Sequence, residues 1–352
     1  MTSSKMPTLA DVGKAAGVSR GTVSNVFNNP ELVRPDVRAR VEAAARVLGY
    51  DGPDPRGRVL RGGKYNAIGF MPPGDYAIAD VIRSPYGREL ILGASLACDP
   101  VGATLSLING TNETRIANIR AALVDGFILG NNADIDVITS AQRRRLPFVI
   151  LESEGGPGVN SIRIDGRGGA VAAARHLVDL GHRRFVILSV RRRPGPAVFH
   201  PPGPNRVMAE GFALDAERLD GFARGLAAAG LDLDAMPIIE TMPGDPRAGA
   251  VVLDRAADAT AVLAMSDWQA LTVLQEAALR GIAVPKDISV VGFDGTSEAA
   301  RAGLTTVAQD ILGKGRLAAE MVLAGGPPRQ VVLPVTLVPR GTTAPPGRGP
   351  AD

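Results

Sequence analysis

The sequence predicts a small all-α head of three helices followed by a larger α/β body whose parallel sheets form two lobes. Three observations predict it. Two short amphipathic stretches joined by a Gly-Val turn stand near the N-terminus, with a third, Pro-led stretch behind them. From Ala67 onward, short β-rich apolar runs alternate with amphipathic helical stretches, the pattern of parallel sheets covered on both faces. That alternation runs for about 285 residues, too many for one sheet.

The head is legible residue by residue. Thr8 is placed to cap a first helix whose Leu9, Val12 and Ala16 share one face. Gly17-Val18 supplies a tight turn, because glycine tolerates the left-handed backbone such a turn uses. Ser19 caps a second helix from Arg20 to about Phe27, with Val23, Val26 and Phe27 inward, and Asn28-Asn29-Pro30 ends it. A third helix follows Pro35, its apolar face Val37, Val41, Ala44 and Leu48, and Gly49 stops it. Three short helices on one small core, the first two joined by a Gly turn, make a helix-turn-helix domain.

In that geometry the start of the second helix lies in the major groove of DNA. Arg20, Gly21 and Asn25 point outward: an Arg pairs with guanine O6 and N7, an Asn with adenine N6 and N7. Ser19, Thr22, Ser24 and Asn28 carry short donors suited to phosphates, which position a helix without reading sequence. Thr8 and Arg34 complete the expected DNA contacts. The charge agrees. Residues 1–64 hold eleven Lys/Arg against six Asp/Glu, whereas the rest of the chain holds twenty-eight against thirty. The basic surplus therefore lies in the head, where it attracts a polyanion.

Composition excludes other classes. No apolar run approaches the ~18 residues of a membrane helix, and the N-terminus lacks the apolar stretch of a secretory signal. Cys98 is the only cysteine, so no intrachain disulfide forms and a reducing cytoplasm is expected. With His176, His182 and His200 it makes no metal-ligand spacing; His176 and His182 read as helix-end and packing residues, and no cofactor is implied.

The body's strands are expected at Ala67–Met71, Thr104–Ile108, Gly126–Leu129, Phe148–Leu151, Phe185–Ser189, Ala261–Ala264 and Ile288–Phe293. Helices are expected at Gly169–Leu180, Glu217–Ala229 and Ala270–Arg280. Ligands of such sheets bind beyond the carboxyl ends of the strands. The segment 191–215, rich in Pro and Gly, is either a lid over such a site or a disordered insertion. Between head and body, Asp54 and Pro55 suit a helix start, but Gly57 and Gly62-Gly63 weaken it.

Residues 8–50, with Ala16-Gly17-Val18-Ser19-x-x-Thr22-Val23-Ser24 (Gly13 standing where the signature A-x-x-A-G-V-S-x-x-T-V-S begins with Ala) and a Pro-led helix ending in Leu48-Gly49-Tyr50, resemble the headpiece of the lactose/purine repressor family. The resemblance continues through Val124-Asp125-Gly126-Phe127-Ile128-Leu129, the His176–Arg184 block, Arg218-Leu219-Asp220-Gly221-Phe222, Ser266-Asp267, the Val284–Asp294 block and Leu304-Thr305-Thr306-Val307. It implies a head over residues 1–50, a hinge over 51–66 and a body over 67–340 that resembles periplasmic sugar-binding proteins, with residues 346–352 as a tail. The resemblance places the N-lobe at 67–164 and 299–329 and the C-lobe at 165–298 and 330–345, with crossings near 165, 298 and 330. It also implies a hinge that becomes helical on the operator, with Leu60 or Val59 wedged into the minor groove. The linker departs from the family's pattern by one extra residue and by Gly57 in place of Ala.

The same resemblance assigns effector contacts to Tyr86, Glu152, Arg218, Ser266, Trp268 and Asp294, Arg218 and Asp294 gripping from the C-lobe. An ion pair between lobes is the alternative for Arg218 and Asp294, and core packing for Tyr86 and Trp268. Ile164 and Pro246 stand where relatives stack an aromatic on the ligand. The implied function is a cytoplasmic, homodimeric regulator, most simply a repressor, of a near-palindromic operator. Its effector is expected to be a small polar molecule, a sugar or derivative, with a nucleobase as the alternative. An enzyme is not expected: the chain has no G-x-x-x-x-G-K-[ST] and no strand-borne G-x-S-x-G or G-x-G-x-x-G, the one G-x-S-x-G, Gly17–Gly21, falling in the turn between two head helices.

Overall fold

The computed structural model describes residues 6–52, 63–73, 76–110, 114–130, 135–191, 195–204, 206 and 213–347. The expectations for Asp54, Pro55, Gly57, Val59, Leu60 and Gly62 lie outside the described residues. Two compact units divide at Tyr65 and Asn66.

The head holds α1 (Leu9–Ala16), α2 (Arg20–Asn28) and α3 (Pro35–Leu48). Thr8 caps α1 in a capping box with Asp11, and Gly17 closes it in the left-handed conformation at φ 66°. A Cβ on Gly13 would meet the Val18 carbonyl oxygen at 2.9 Å, so this glycine lets the turn fold back on α1. Leu9, Val12, Val23, Val26, Val41 and Ala45 are buried together, and Tyr50 meets Phe27 edge to face at 5.6 Å. Two expectations for α3 shift. Ala45 is buried where Ala44 is only partly so, and Leu48 is exposed, because Tyr50 turns back after Gly49 to cover that side of the core.

In the body, a six-stranded, wholly parallel sheet has the order β12-β5-β4-β3-β1-β2. Its strands are β1 (Ala67–Met71), β2 (Thr104–Leu107), β3 (Gly126–Leu129), β4 (Phe148–Leu151), β5 (Asn160–Ile164) and β12 (Gln330–Leu333). Helices α4 (Ile78–Arg83), α5 (Pro85–Cys98), α6 (Arg115–Ala121), α7 (Ile135–Arg143) and α13 (Ile311–Ala324) belong to this lobe. Helices α5 and α13 touch backbone to backbone: a Cβ on Gly93 or Gly315 would fall 2.0 or 2.1 Å from a carbonyl oxygen of the other helix.

A second sheet of seven strands has the order β13-β11-β10-β9-β6-β8-β7, parallel except at its two edges. It comprises β6 (Phe185–Val190), β7 (Val198–His200), β8 (Ile238–Thr241), β9 (Ala261–Ala264), β10 (Ser289–Asp294), β11 (Thr305–Gln309) and β13 (Val335–Val338). Helices α8 (Gly166–Asp179) and α9 (Ala213–Ala227) cover one face, and α10 (Ala248–Arg255), α11 (Asp267–Leu279) and the short α12 (Ser297–Arg301) lie with this lobe. Its strands bury nearly continuous apolar runs on both faces, as a central parallel sheet requires.

Sheet membership moves two of the expected crossings. The chain passes between sheets near residues 165, 310 and 334, not 165, 298 and 330. Strand β11 pairs in parallel with β10, so the C-lobe continues to Gln309, and β12 pairs with β5, so the N-lobe takes Gln330–Leu333. The segment 191–215 contributes an edge strand and the start of α9, and none of its described residues from 195 to 204 lines the cleft described next.

Candidate functional site

Between the two sheets, at the carboxyl ends of their strands, lies a cleft of about 990 Å³, part of it open to solvent. All six residues expected to touch an effector, Tyr86, Glu152, Arg218, Ser266, Trp268 and Asp294, line it. Phe70, Tyr76, Leu90, Leu151 and Val190 supply an apolar surface beside them. The lining thus has the apolar walls and few convergent polar groups of a small-molecule site.

The polar groups are placed by strand ends. Glu152 follows β4 and Asp294 ends β10; their φ angles of 58° and 132° lie where side chains are rarely accommodated. Such backbone is maintained only where the surroundings hold it, and sites of function collect it. Burial raises the Asp294 carboxyl to about 7, and the Arg218 charge opposes that rise. Arg218 Nη2 stands 3.7 Å from Asp294 Oδ1, its guanidinium lies 3.8 Å over the Phe293 ring, and Nη1 donates to the Met265 carbonyl. Arg218 and Asp294 are therefore ion-paired within the C-lobe, not across the lobes, and both still face the cleft.

A fully buried lysine, Lys314 on α13, was not among the expected residues. Its Nζ donates to Glu152 Oε1, to Gln309 Oε1 and, at 3.2 Å, to the Tyr86 hydroxyl. Gln309 Nε2 in turn donates to Asp294 Oδ1 at 3.0 Å. Tyr86 donates to Glu152 Oε1 at 3.3 Å; burial first, then the Glu152 charge, pushes the phenol well above its usual range. A continuous chain of polar contacts thus joins the C-lobe acid to the N-lobe acid. Two buried atoms of these residues have no hydrogen-bond partner among the described residues: Glu152 Oε2 and Arg218 Nε. The sequence held a signal for Lys314. It falls on the face of α13 that carries Ile311, Ala318 and Val322, where a lysine needs a buried counter-charge.

Ser266 acts first as a cap: its Oγ accepts from Gln269 N at 3.2 Å and donates to Gln269 Oε1 at 3.1 Å. Asp267, fully buried, accepts from Thr296 N at 2.8 Å and from Thr306 Oγ1 at 2.5 Å, and burial raises its pKa against those bonds. Trp268 is partly buried and packs on Gly244. Ile164 is in the C-lobe core and Pro246 is exposed; neither lines the cleft, whereas Pro243 does.

On the head, Arg20, Gly21, Asn25 and Asn28 are exposed along α2, and Arg34 is exposed at the start of α3. Thr22 and Ser24 are half-buried. Ser19 caps α2 and its Oγ meets Thr22 Oγ1 at 2.9 Å, while Asn28 Nδ2 donates to Ser24 Oγ at 3.1 Å. Thr8 is tied to Asp11 at 2.7 Å. His176 meets Thr343 and His182 meets Thr260, Ser289 and the Ala344 carbonyl. Among the described residues no group of acidic, His or Cys side chains has metal-site geometry, and no helix is long and apolar enough to cross a membrane.

Residues 8–52 match the family of bacterial regulatory proteins of lacI type, and residues 174–343 match a periplasmic binding protein-like domain. An HTH-type transcriptional regulator of Mycolicibacterium smegmatis is 35% identical, over 96% of this chain and 97% of its own. Among solved structures, the lac repressor dimer bound to operator and the anti-inducer ONPF is 25% identical with a TM-score of 0.73, covering 97% of this chain and 100% of that one. A complex of the transcriptional regulator CelR with cellobiose is 26% identical with a TM-score of 0.65, covering 96% and 99%. These relatives are regulators, not enzymes. A helix-turn-helix head, a two-sheet body with a cleft between its lobes, and similarity over nearly the whole length converge: the chain belongs to the LacI family of bacterial transcriptional regulators.

Proposed function

We propose that the protein is a homodimeric repressor of a near-palindromic operator, released or tightened by a small polar effector, a sugar or sugar derivative, held between the lobes of the body. The observation that carries the effector reading is the pair of unpartnered buried atoms, Glu152 Oε2 and Arg218 Nε, beside Asp294 in one cleft. A hydroxyl group answers both needs, donating to a carboxylate and accepting from a guanidinium N–H. The apolar walls suit the C–H faces of a ring. CelR, a relative, binds cellobiose in its solved complex, and the lac repressor neighbour is a dimer on operator.

In this reading Arg20 and Asn25 read base edges while Ser19, Thr22, Ser24, Asn28, Thr8 and Arg34 hold the backbone, and Leu60 or Val59 wedges into the minor groove. Effector and operator prefer different lobe arrangements, so each changes the other's affinity by the same factor. The test is gel retardation of operator fragments by the full chain across a panel of sugars, polyols and nucleobases. A sugar that shifts operator affinity in the native chain, and not in Asp294→Ala, supports the reading. A response that survives in Asp294→Ala places the effector elsewhere, and a response only to nucleobases replaces the sugar.

A further inference from the structure

We propose that Lys314 sets the charge class of the effector: by neutralising Glu152 from beneath with every donor spent, it leaves the cleft open to neutral hydroxyl-bearing molecules and closed to phosphates and carboxylates. This inference rests on the effector reading above and deepens it. An ammonium has three N–H donors, and here they meet Glu152 Oε1, Gln309 Oε1 and the Tyr86 hydroxyl. Lys314 is fully buried, so no face of it is left for a ligand. The other cation in the cleft, Arg218, is committed to Asp294, to the Met265 carbonyl and to the face of Phe293. Its Nε is a buried donor without a hydrogen-bond partner, and its charge is already opposed by Asp294 at 3.7 Å.

The acids tell the same story from the other side. Glu152 keeps Oε2 as a buried acceptor without a partner, and Glu152 and Asp294 both line the cleft. Both call for donors. The anionic group of such a ligand brings acceptors only, and placed here it meets two carboxylates with their counter-charges already engaged. The cost of burying it without a partner is large. Lys314 is thus a positioning residue: it touches no ligand, but holds Glu152 ready to accept from one.

Calorimetric titration of the full-length protein with matched ligands tests this, using cellobiose, glucose and ribose against the phosphate monoesters and aldonic acids of the same sugars. A neutral member is expected to bind at least about tenfold tighter than its anionic counterparts. Glu152→Gln, which strips Lys314 of its counter-charge, is expected to narrow that ratio or reverse it, and adding Lys314→Met to Glu152→Gln restores discrimination. General damage to the fold weakens both members of a pair together and leaves the ratio alone. A wild-type protein that binds a phosphate or carboxylate as tightly as its neutral counterpart overturns the proposal. So does a panel in which no neutral member binds at millimolar concentration. A ratio identical in wild type and Glu152→Gln removes Lys314 from the explanation. A phosphate ester that binds and still releases operator sinks the charge class alone, whereas a bound ligand without effect on operator sinks the effector reading.

Discussion

Glu152 and Asp294 hold matching places in the two lobes, each at the carboxyl end of a parallel strand with a positive φ, and Gln309 and Lys314 link their carboxylates through three hydrogen bonds. The cleft is therefore acid at both walls and bridged at its base. Any ligand that spreads or draws together the lobes acts on that bridge.

Asp294 gives the cleft a titration near neutrality. Its carboxyl is raised to about 7 by burial, so at physiological pH the protonated and ionised forms coexist. An effector hydroxyl donates better to the ionised form, so effector affinity is expected to rise with pH through about 7 and then level off. Stability runs the other way. A raised folded pKa means the folded protein holds this proton more tightly, so the group's contribution falls as pH climbs from 3.8 through about 7 and is constant above. Calorimetric titrations and urea melts across that range check both slopes, and Asp294→Asn is expected to flatten them. An unchanged binding slope in Asp294→Asn assigns the titration to another group.

Arg20 and Asn25 are the exposed side chains on α2 suited to base edges, while Ser19, Thr22, Ser24 and Asn28 are engaged with one another along the helix. Arg20→Ala is expected to cost about 1–3 kcal/mol on the operator and to relax preference at one base pair. Ser24→Ala is expected to weaken specific and random DNA alike. Retardation assays on both DNAs, at one fixed salt concentration, separate the two roles, and equal losses for Arg20→Ala on operator and random DNA contradict base readout.

Much of this was readable from residues alone, and the exceptions have causes. The head's periodicity and caps located α1, α2 and α3 because local sequence decides such short helices. Strands Ala67–Met71, Gly126–Leu129, Phe148–Leu151 and Ala261–Ala264 stood out as dense apolar runs. Strands β12 and β13 did not, because Gln330–Leu333 and Val335–Val338 are edge strands whose side chains are half exposed, so no continuous apolar run marks them. Their assignment to opposite sheets depends on a crossing at Pro334, which pairing partners fix and local pattern does not. Likewise Arg218 and Asp294 were nameable from the motif blocks and Glu152 from its place after a strand, whereas Lys314 had only its position on an apolar helix face to mark it, its partner lying 162 positions away in sequence.

His182 ties the end of the chain to the C-lobe, with Nδ1 2.9 Å from Thr260 Oγ1 and Nε2 2.9 Å from the Ala344 carbonyl oxygen and 3.1 Å from Ser289 Oγ. Burial holds its pKa below the ordinary 6.5. The unfolded chain then binds the proton more readily, so stability is kept above about 6.5 and lost as pH falls from there toward the depressed folded value. The Asp294 contribution runs the other way in this window, so the His182 contribution is read as the difference between denaturant melts of the native chain and of His182→Gln, which keeps a donor and an acceptor, and that difference is expected to shrink as pH falls below about 6.5. A decline of the same size in His182→Gln points to His176, whose pKa burial also lowers.

Gly244 and Trp268 offer a direct optical test of the cleft. A Cβ on Gly244 would fall 2.2 Å from Trp268 Cζ2, and the glycine's φ of 82° disfavours any side chain. Gly244→Ala therefore combines backbone strain with a clash against the indole, at a cost of about 1–3 kcal/mol. Space for the ring to yield lies in the cleft that it lines with Arg218 and Asp294. Trp268 is the only tryptophan in the chain, so its emission reports this movement without interference. The variant is expected to emit differently from the native protein before any ligand is added and to bind effector more weakly. In the native protein, a ligand that enters the cleft is expected to change the same emission with the same apparent affinity that calorimetry gives. A bound effector that leaves Trp268 emission untouched would place it outside this cleft, and an unaltered spectrum in Gly244→Ala would mean that the loop, not the indole, gives way.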